Sequence, residues 1–477
     1  MVPDTKVRVR FAPSPSGMMH LGNVRSALMN FLYARQYQGT FIIRVEDTDA
    51  SRNVDPEAKK IISDLLWLGL DYLEGPIKGG PYAPYYQSQR DNIYKKYLEE
   101  LIAKKRVYRC FCTTEELEKK RQRQVALKLP PRYDRACFKL TPAQVDEKLQ
   151  NKIEFVWRVA LDQEKKITIH DLARDTIEFD LKNFPDFPLT RADGSFTFIF
   201  ANFVDDMVMK ISQVIRGEDH LTNTASQAVL YDIFQVPLPT FWHLPIICNA
   251  EGKKLSKRDF GFSLNDLINE GFLPEAITNY LAIIGGGSFE QEIMSLDELA
   301  KHMNFKTVHS TGHIKYDLEK LTWMNHKWIN KYDSEQLTIA CLPFLVEAYS
   351  QAVQLDKTTI GHMLQLIKTD LTTLKSCVKS LKFYFEKPTV TAESLQCIPA
   401  DSVANIKQLV SKNLELITNS TDFAHAVKTQ AKEQNIPLKE LFWYLRIALM
   451  GEQNGPAIHD LIDILGSQES AKRLQSI

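Results

Sequence analysis

The first 50 residues contain two strand-like segments separated by a helix-like one, and this pattern limits the fold more than any other. Residues 7–11 alternate in polarity and predict a strand, and residues 40–45 predict a second strand. Between them, apolar residues at helical spacing over 24–32 predict a crossover helix. This order requires a parallel sheet. Such sheets bind ligands beyond the carboxyl ends of their strands, where residues 12–22 and 46–49 lie.

Length, charge and cysteine content set further limits. The chain has 477 residues, with 59 basic and 59 acidic side chains. The resulting net charge of zero argues against a protein that coats nucleic acid non-specifically. Seven cysteines at irregular spacing predict reduced thiols and a cytoplasmic protein. The strongest apolar run, 441–450, contains Arg446 and is too short to predict a membrane span.

The pattern changes along the chain. From about 85 to 195, charged helical stretches alternate with short strand-like runs, which predicts an insertion into the sheet domain. Strand patterns resume at 196–200 and 213–216. From about 330 to the end, amphipathic helices predict an all-helical module.

Two short segments carry candidate chemistry. His20-Leu-Gly-Asn23 stands where the first turn enters the predicted helix, so His20 could donate to a phosphate and Gly22 could let a nucleotide approach. Residues 252–258 are densely basic, and Lys254 and Lys257 could neutralise a leaving pyrophosphate. Taken singly, the first segment is more often a capped helix with a surface histidine, and the second is more often a solvated basic turn. Together, in this order, they predict a nucleotidyl-transfer enzyme that uses ATP.

The two segments resemble the HIGH and KMSKS signatures of the class I aminoacyl-tRNA synthetases. Their context is similar to that of the bacterial glutamyl-tRNA synthetases. The resemblance rests on linked motifs at 10–15, 20–22, 44–49, 214–220 and 253–258, and it continues through 316–325 and 446–455.

The resemblance implies an α/β fold. A Rossmann-like parallel-sheet catalytic domain would hold an inserted α+β domain that binds the acceptor stem, and helical stem-contact and all-α anticodon-binding domains would follow. The expected boundaries are 1–85 and 196–250 for the catalytic halves, 86–195 for the insertion, 251–328 for the signature-loop and stem-contact domain, and 329–477 for the anticodon-binding domain.

The resemblance also implies a two-step reaction. Glutamate would attack the α-phosphate of ATP, which carries Mg²⁺, and give glutamyl-adenylate and pyrophosphate. The glutamyl group would then pass to the 2′-hydroxyl of the terminal adenosine of tRNA(Glu). Activation is expected to need bound tRNA, and the enzyme is expected to be a monomer.

Site residues follow from the resemblance position by position. Glutamate binding is expected from Arg10, Ser14, Glu46, Asn202 and Arg216. ATP binding is expected from Gly17, His20, Gly22, Asp219, Leu244, Ile246, Lys254, Ser256 and Lys257, of which His20, Lys254 and Lys257 are the expected catalytic residues. Guanidinium groups suit carboxylates, so Arg216 is assigned to the side-chain carboxylate of glutamate and Glu46 to its ammonium group.

Two features need an explanation from structure. Phe198 stands where the family often has a tyrosine, so a hydrogen bond to the substrate is lost or supplied by another group. Asp205 and Asp206 follow Asn202 at a predicted strand edge, either as acids near the adenylate or as structural partners.

The predicted insertion contains a candidate metal site. Cys110 and Cys112 form a C-x-C pair, and Tyr133 and Cys137 follow. Some members of the family bind structural zinc in this region, and Tyr133 would have to be the fourth ligand here. Zinc prefers cysteine and histidine, so three thiols without a metal are an equal alternative.

The identity of the RNA partner stays open at this level. Basic clusters at 104–106 and 119–123 could contact an acceptor stem, although such runs are more often solvated helix faces. One alternative is a non-discriminating or tRNA(Gln)-preferring glutamyl-tRNA synthetase that feeds an amidotransferase. A less favoured alternative is a catalytically silent tRNA-binding protein.

Overall fold

A computed structural model describes residues 6–15, 17–48, 53–55, 57–256, 259–284, 289–305, 312 and 314–477. The chain divides into two compact units. The first unit comprises residues 1–266 and 277–318, and the second comprises residues 267–276 and 319–477.

In chain order, the elements up to residue 315 are a mixture of strands and helices. They are β1 (Arg8–Phe11), α1 (Leu21–Gln36), β2 (Thr40–Ile43), α2 (Lys59–Trp67), α3 (Asp91–Ala103), β3 (Val107–Cys110), α4 (Thr114–Ala126), α5 (Pro142–Gln150), β4 (Val156–Val159), β5 (Lys166–Asp171), β6 (Asp175–Asp180), α6 (Phe198–Val208), β7 (Gln213–Gly217), α7 (Leu221–Phe234), β8 (Thr240–Leu244), β9 (Ile247–Cys248), α8 (Leu264–Glu270), α9 (Pro274–Ile283), α10 (Leu296–His302) and β10 (Ile314–Lys315).

The first unit begins with the predicted βαβ motif. β1 and β2 pair in parallel, with Arg8 opposite Thr40 and Phe11 opposite Ile43. All four residues of β2 are buried, as expected for a parallel strand covered on both faces. The crossover helix α1 starts after the turn that follows β1, so the prediction of a parallel βαβ unit is confirmed.

A four-stranded sheet, in the order β6-β5-β8-β7, lies in the same unit. β7 and β8 are parallel, and β5 joins β8 in parallel where Asp171 is opposite Phe241. β5 and β6 form an antiparallel hairpin. This hairpin comes from the predicted insertion, so one sheet contains strands from both 86–195 and 196–250. β3 and β4 form a separate antiparallel pair.

The prediction of a strand over 196–200 is wrong, because α6 begins at Phe198. Phe200 and Val204 are fully buried in the core and are four residues apart, which places them on one face of a helix. A short apolar run fits a strand and a helix equally, so the residue types over 196–200 did not distinguish the two.

The second unit is helical. Residues 319–477, all of which the structure describes, contain no strand. The helices are α11 (Leu318–Lys331), α12 (Ser334–Ala348), α13 (Lys357–Ile367), α14 (Ser376–Ser380), α15 (Lys382–Phe385), α16 (Ala400–Asn413), α17 (Ser420–Glu433), α18 (Leu438–Met450), α19 (Ile458–Leu465) and α20 (Ser467–Gln475). The prediction of an all-helical C-terminal module is confirmed.

The cysteines agree with the prediction of reduced thiols. All seven cysteines lie in the described residues, and each is a free thiol. Across the described part of the chain, no helix has both the length and the apolar character needed to cross a membrane.

Candidate active site

A cavity of about 780 Å³ lies at the carboxyl ends of β1, β7 and β8, beside the start of α1. Twelve of the fourteen residues predicted to bind glutamate or ATP line it, namely Arg10, Ser14, His20, Gly22, Glu46, Asn202, Arg216, Asp219, Leu244, Ile246, Lys254 and Ser256. Gly17 is not among the described residues that line the cavity, and Lys257 and Asp49 lie outside the described residues. The cavity has the size of a small-molecule site.

Arg216, at the end of β7, is a buried cation whose hydrogen-bond partners are neutral. Its Nη2 donates to Thr224 Oγ1 at 2.6 Å and to Gln227 Oε1 at 2.7 Å. Its Nε and Nη1 atoms are buried and have no hydrogen-bond partner among the described residues. Burial lowers the pKa of Arg216 to about 10, so the side chain is still charged at neutral pH. An unpaired buried charge is costly, and an anion in the cavity would relieve that cost.

Glu46 follows β2 and places a carboxylate in the same cavity. Its Oε1 accepts hydrogen bonds from Arg44 Nη2 at 3.1 Å and from Asn202 Nδ2 at 2.5 Å. Asn202 is itself fixed, because its Oδ1 accepts from Gln227 Nε2 at 2.8 Å. Burial raises the pKa of Glu46, and the charges of Arg44 and Arg10 oppose that rise. A cationic ligand group would favour the ionised carboxylate further.

Asp205 and Asp206 lie within α6, so the prediction that they stand at a strand edge is wrong. Asp206 accepts from Arg10 Nε at 3.0 Å and from Arg44 Nη1 at 2.6 Å. Asp205 accepts from Arg90 Nε at 2.6 Å. Both are absent from the described residues that line the cavity, so they act as structural partners of buried arginines.

His20 caps the start of α1. Its Nδ1 accepts a hydrogen bond from the Asn23 N–H at 3.3 Å, and its ring stacks on Phe262 at 5.4 Å. Burial, followed by the charge of Lys254, lowers the pKa of His20, so the ring is neutral at pH 7 and carries its proton on Nε2. A Cβ at Gly22 would lie 3.1 Å from His20 Nδ1, so a side chain there would press on the ring.

Lys254 and Ser256, from the basic segment 252–258, also line the cavity. Lys254 Nζ is 3.6 Å from Asp219 Oδ2, and both side chains are more than half exposed. An exposed pair of this kind is weak and exchanges readily for another anion. Asn249 closes the loop, because its Oδ1 accepts from the Lys253 N–H and its Nδ2 donates to Asp259 Oδ1 at 3.2 Å.

Phe198 lines the cavity with its ring 5.4 Å from the ring of His220. His220 also lines the cavity, and burial followed by the charge of Arg216 lowers its pKa to about 4. A neutral imidazole therefore stands beside the Phe198 ring in the cavity.

The cysteine cluster is a separate feature of the first unit. The ligand atoms of Cys110, Cys112 and Cys137 all lie within 4.8 Å of one another. Tyr133 Oη is 3.3 Å from Cys110 Sγ, and Lys120 Nζ is 4.0 Å from Cys112 Sγ.

Sequence analysis missed the residues that hold Arg216 and Glu46, namely Arg44, Thr224 and Gln227. Arg44 lies inside one of the recognised motifs, which was a usable signal. Thr224 and Gln227 are one helical turn apart on α7, just after the 214–220 motif, but nothing in their residue types indicates contact with a guanidinium group.

The parallel strands, the histidine-led helix and the basic loop have the organisation of a class I nucleotidyl-transfer domain, and comparison with known families agrees. Residues 6–323 match the family "tRNA synthetases class I (E and Q), catalytic domain", and residues 336–477 match the family "Anticodon binding domain". The chain therefore belongs to the class I tRNA synthetases of the glutamate and glutamine group.

Individual relatives narrow this assignment. The glutamate–tRNA ligase of Sulfurihydrogenibium sp. is 37% identical over 477 residues, covering 98% of each chain. The glutamate–tRNA ligase of Bacillus pumilus is 34% identical over 481 residues, covering 99% of each. A crystal structure of a glutamate tRNA ligase from Elizabethkingia meningosepticum, in complex with its amino acid, has a TM-score of 0.90 at 31% identity and covers 99% of both chains. The predicted resemblance and the predicted fold class are confirmed.

Proposed function

We propose that this enzyme ligates L-glutamate to the 3′-terminal adenosine of tRNA(Glu), at the cost of ATP, through a glutamyl-adenylate intermediate. The names of its full-length relatives support this function. The observation that carries it is Arg216, a buried guanidinium group with only neutral partners and with two nitrogen atoms that lack a hydrogen-bond partner among the described residues.

Glutamate fits the charges of the cavity. Arg216 supplies a cation for the side-chain carboxylate, and Glu46 supplies an anion for the ammonium group. Arg10, Ser14 and Asn202 line the same region and complete the proposed glutamate site. Uncharged glutamine would leave the buried charge of Arg216 unpaired, which gives selectivity without a separate editing step.

ATP fits the part of the cavity next to α1. The helix start and the neutral His20 offer N–H groups to the α-phosphate, and Gly22 leaves room beside the ring. The remaining proposed ATP contacts are Gly17, Asp219, Leu244, Ile246, Lys254, Ser256 and Lys257. Mg²⁺ accompanies the nucleotide as part of the substrate.

The proposed reaction has two displacements. A carboxylate oxygen of glutamate bonds to the α-phosphorus, and the bond to the bridging oxygen breaks, so pyrophosphate leaves with the electron pair. His20 Nε2–H donates to the phosphate oxygens as their charge grows, and Lys254 and Lys257 neutralise the leaving group. The 2′-hydroxyl of the tRNA then attacks the activated carbonyl and AMP departs.

The remaining assignments concern domains and setting. We propose the boundaries 1–85, 86–195, 196–250, 251–328 and 329–477, with acceptor-stem binding in the second segment and anticodon reading in the last. The helical last segment and its match to an anticodon-binding family support that assignment. We propose a cytoplasmic monomer, in line with the free thiols.

Purified tRNA(Glu) and tRNA(Gln) give the direct test. We expect ATP–pyrophosphate exchange with glutamate only when tRNA is present, and glutamylation of tRNA(Glu) well above that of tRNA(Gln). Equal glutamylation of both would assign the enzyme to the non-discriminating class. No exchange under either condition would leave only tRNA binding.

We also propose that Cys110, Cys112, Cys137 and Tyr133 hold a structural zinc ion. The three sulfur atoms and the phenol oxygen converge, and Lys120 and Arg158 stand beside them to balance negative charge, with Arg158 Cζ 4.2 Å from the Tyr133 ring centroid. Zinc would tie the β3 end to the segment around 133–137.

Zinc content tests this site. We expect about one zinc ion per purified chain, lost in Cys112→Ser together with a lower Tm. Cys397→Ser, a half-buried cysteine outside the cluster, is the matched control and should keep the metal. If the purified wild-type chain contains no zinc and its Tm does not rise when zinc is added, the thiols bind no metal.

A further inference from the structure

A line of buried polar side chains runs from the turn of the β5–β6 hairpin to Arg216. Asp171 Oδ2 contacts His243 Nδ1 at 2.6 Å, His243 Nε2 contacts Thr224 Oγ1 at 2.7 Å, and Thr224 Oγ1 accepts from Arg216 Nη2 at 2.6 Å. Asp171, His243 and Thr224 are 3%, 0% and 0% exposed. Buried polar groups in one connected line fix one another in place.

The first member of this line is anchored by four hydrogen bonds. Asp171 Oδ1 accepts from the N–H groups of Ala173 at 2.9 Å and Arg174 at 3.1 Å. Its Oδ2 accepts from the backbone N–H of His243 at 3.0 Å as well as from the His243 ring. Arg174 Nη1 also donates to the His243 carbonyl at 2.7 Å. The hairpin turn therefore holds His243 at both its backbone and its ring.

The direction of each hydrogen bond follows from that anchor. Because the Asp171 carboxylate accepts only, His243 Nδ1 carries the proton, and Nε2 of the neutral ring is an acceptor. Burial lowers the pKa of His243, which keeps the ring neutral. The Thr224 hydroxyl proton then points to His243, in preference to the His220 carbonyl at 3.2 Å, and the oxygen lone pairs are left for Arg216.

We propose that Asp171, His243 and Thr224 are positioning residues that hold Arg216 Nη2, so that the N–H groups of Nη1 remain for the side-chain carboxylate of the substrate. This rests on the proposed function of Arg216. Gln227, fixed by Asn202, holds the second hydrogen of Nη2, so both hydrogens are engaged by neutral acceptors. Neutral acceptors orient the guanidinium group without competing for its charge.

Thr224→Val is the informative variant, because it keeps the shape and removes the hydroxyl group. We expect KM for glutamate to rise about tenfold, equal to about 1.4 kcal/mol, with kcat and KM for ATP within about twofold. Thr224→Ser should restore KM to within about threefold of the wild-type value. Thr338→Val is the control, because Thr338 is 3% exposed in α12 of the second unit and, among the described residues, its hydroxyl donates to the Ser334 carbonyl and not to the site.

Asp171→Asn gives a second route that does not alter a direct neighbour of Arg216. Asp171→Asn should also raise KM for glutamate. If Thr224→Val does not fold, Asp171→Asn provides the test of the proposal. An unchanged KM for glutamate in a folded Thr224→Val or Asp171→Asn enzyme overturns the proposal. So does a fall in kcat together with a rise in KM for both glutamate and ATP, if Thr224→Ser does not restore these values.

Arg216→Gln separates this proposal from the function on which it rests. If KM for glutamate rises strongly in Arg216→Gln but not in Thr224→Val, the proposed glutamate site at Arg216 stands and the proposed positioning role of Thr224 is wrong. An unchanged KM for glutamate in Arg216→Gln removes both.

Discussion

Replacing Arg216 with glutamine should lower kcat/KM for glutamate by a factor of about 100 to 1,000, and most of the loss should appear in KM. Removing one member of a buried, hydrogen-bonded charge pair costs about 2–5 kcal/mol, and each 1.4 kcal/mol is tenfold. The side chain is 7% exposed, and its hydrogen-bond partners among the described residues are neutral, so no carboxylate is hydrogen-bonded to it before a ligand binds. The preference for glutamate over glutamine should fall with it.

Two further variants sharpen that result. Arg216→Lys keeps the charge but cannot contact Thr224, Gln227 and a ligand at once, so its activity should lie between those of wild type and Arg216→Gln. Arg35→Gln alters an exposed arginine paired with Asp297 and should behave as wild type. KM for ATP should be unchanged throughout. Wild-type kcat/KM in Arg216→Gln would show that glutamate binds elsewhere.

His20→Ala should lower kcat for adenylate formation about 10² to 10³-fold, because in the proposed reaction it removes the N–H donor to the phosphate oxygens whose charge grows. The structural cost should be small. The ring makes one helix-capping hydrogen bond, with Asn23, and one stacking contact, with Phe262, so about 1 kcal/mol of stability is at stake. Pyrophosphate exchange in the presence of tRNA measures the first effect, and Tm measures the second.

The controls for His20 use its own chemistry. His20→Asn keeps a cap and an N–H donor and should recover part of the activity. His302→Ala, at the exposed end of α10, should leave exchange unchanged. A His20→Ala enzyme with wild-type kcat would exclude the ring from the chemical step, whatever its Tm.

Local sequence was sufficient to predict the fold of segments whose structure depends on residues close together in the chain. The turn that follows β1, the start of α1 and the parallel pairing of β2 with β1 depend on Pro, Gly and apolar spacing within 45 residues, and all of these can be read directly. The same approach failed over 196–200, because an apolar run this short does not distinguish a helix from a strand.

The residues that hold the side chains of the site in place make contacts with partners far away in the sequence, and the spacing of residues in the sequence does not reveal these contacts. Asp171 lies 72 residues before His243, and Arg44 lies 162 residues before Asp206. The first pair meets because β5 and β8 are neighbours in one sheet, whereas the second joins the residue after β2 to a residue of α6. Residues that line the cavity were therefore predictable from motifs, whereas the residues that hold them were not.

The β5–β6 hairpin has a consequence for anyone who wishes to shorten this enzyme. Excision of the whole of 86–195 would leave one side of β8 without its neighbour and would create an open sheet edge next to the cavity, a common starting point for aggregation. Excision that stops before Lys166 would keep the edge covered and the turn at Asp171 in place. The smallest catalytic fragment is thus set by strand pairing, and the apparent limits of the inserted domain are a poor guide to where the chain can be cut.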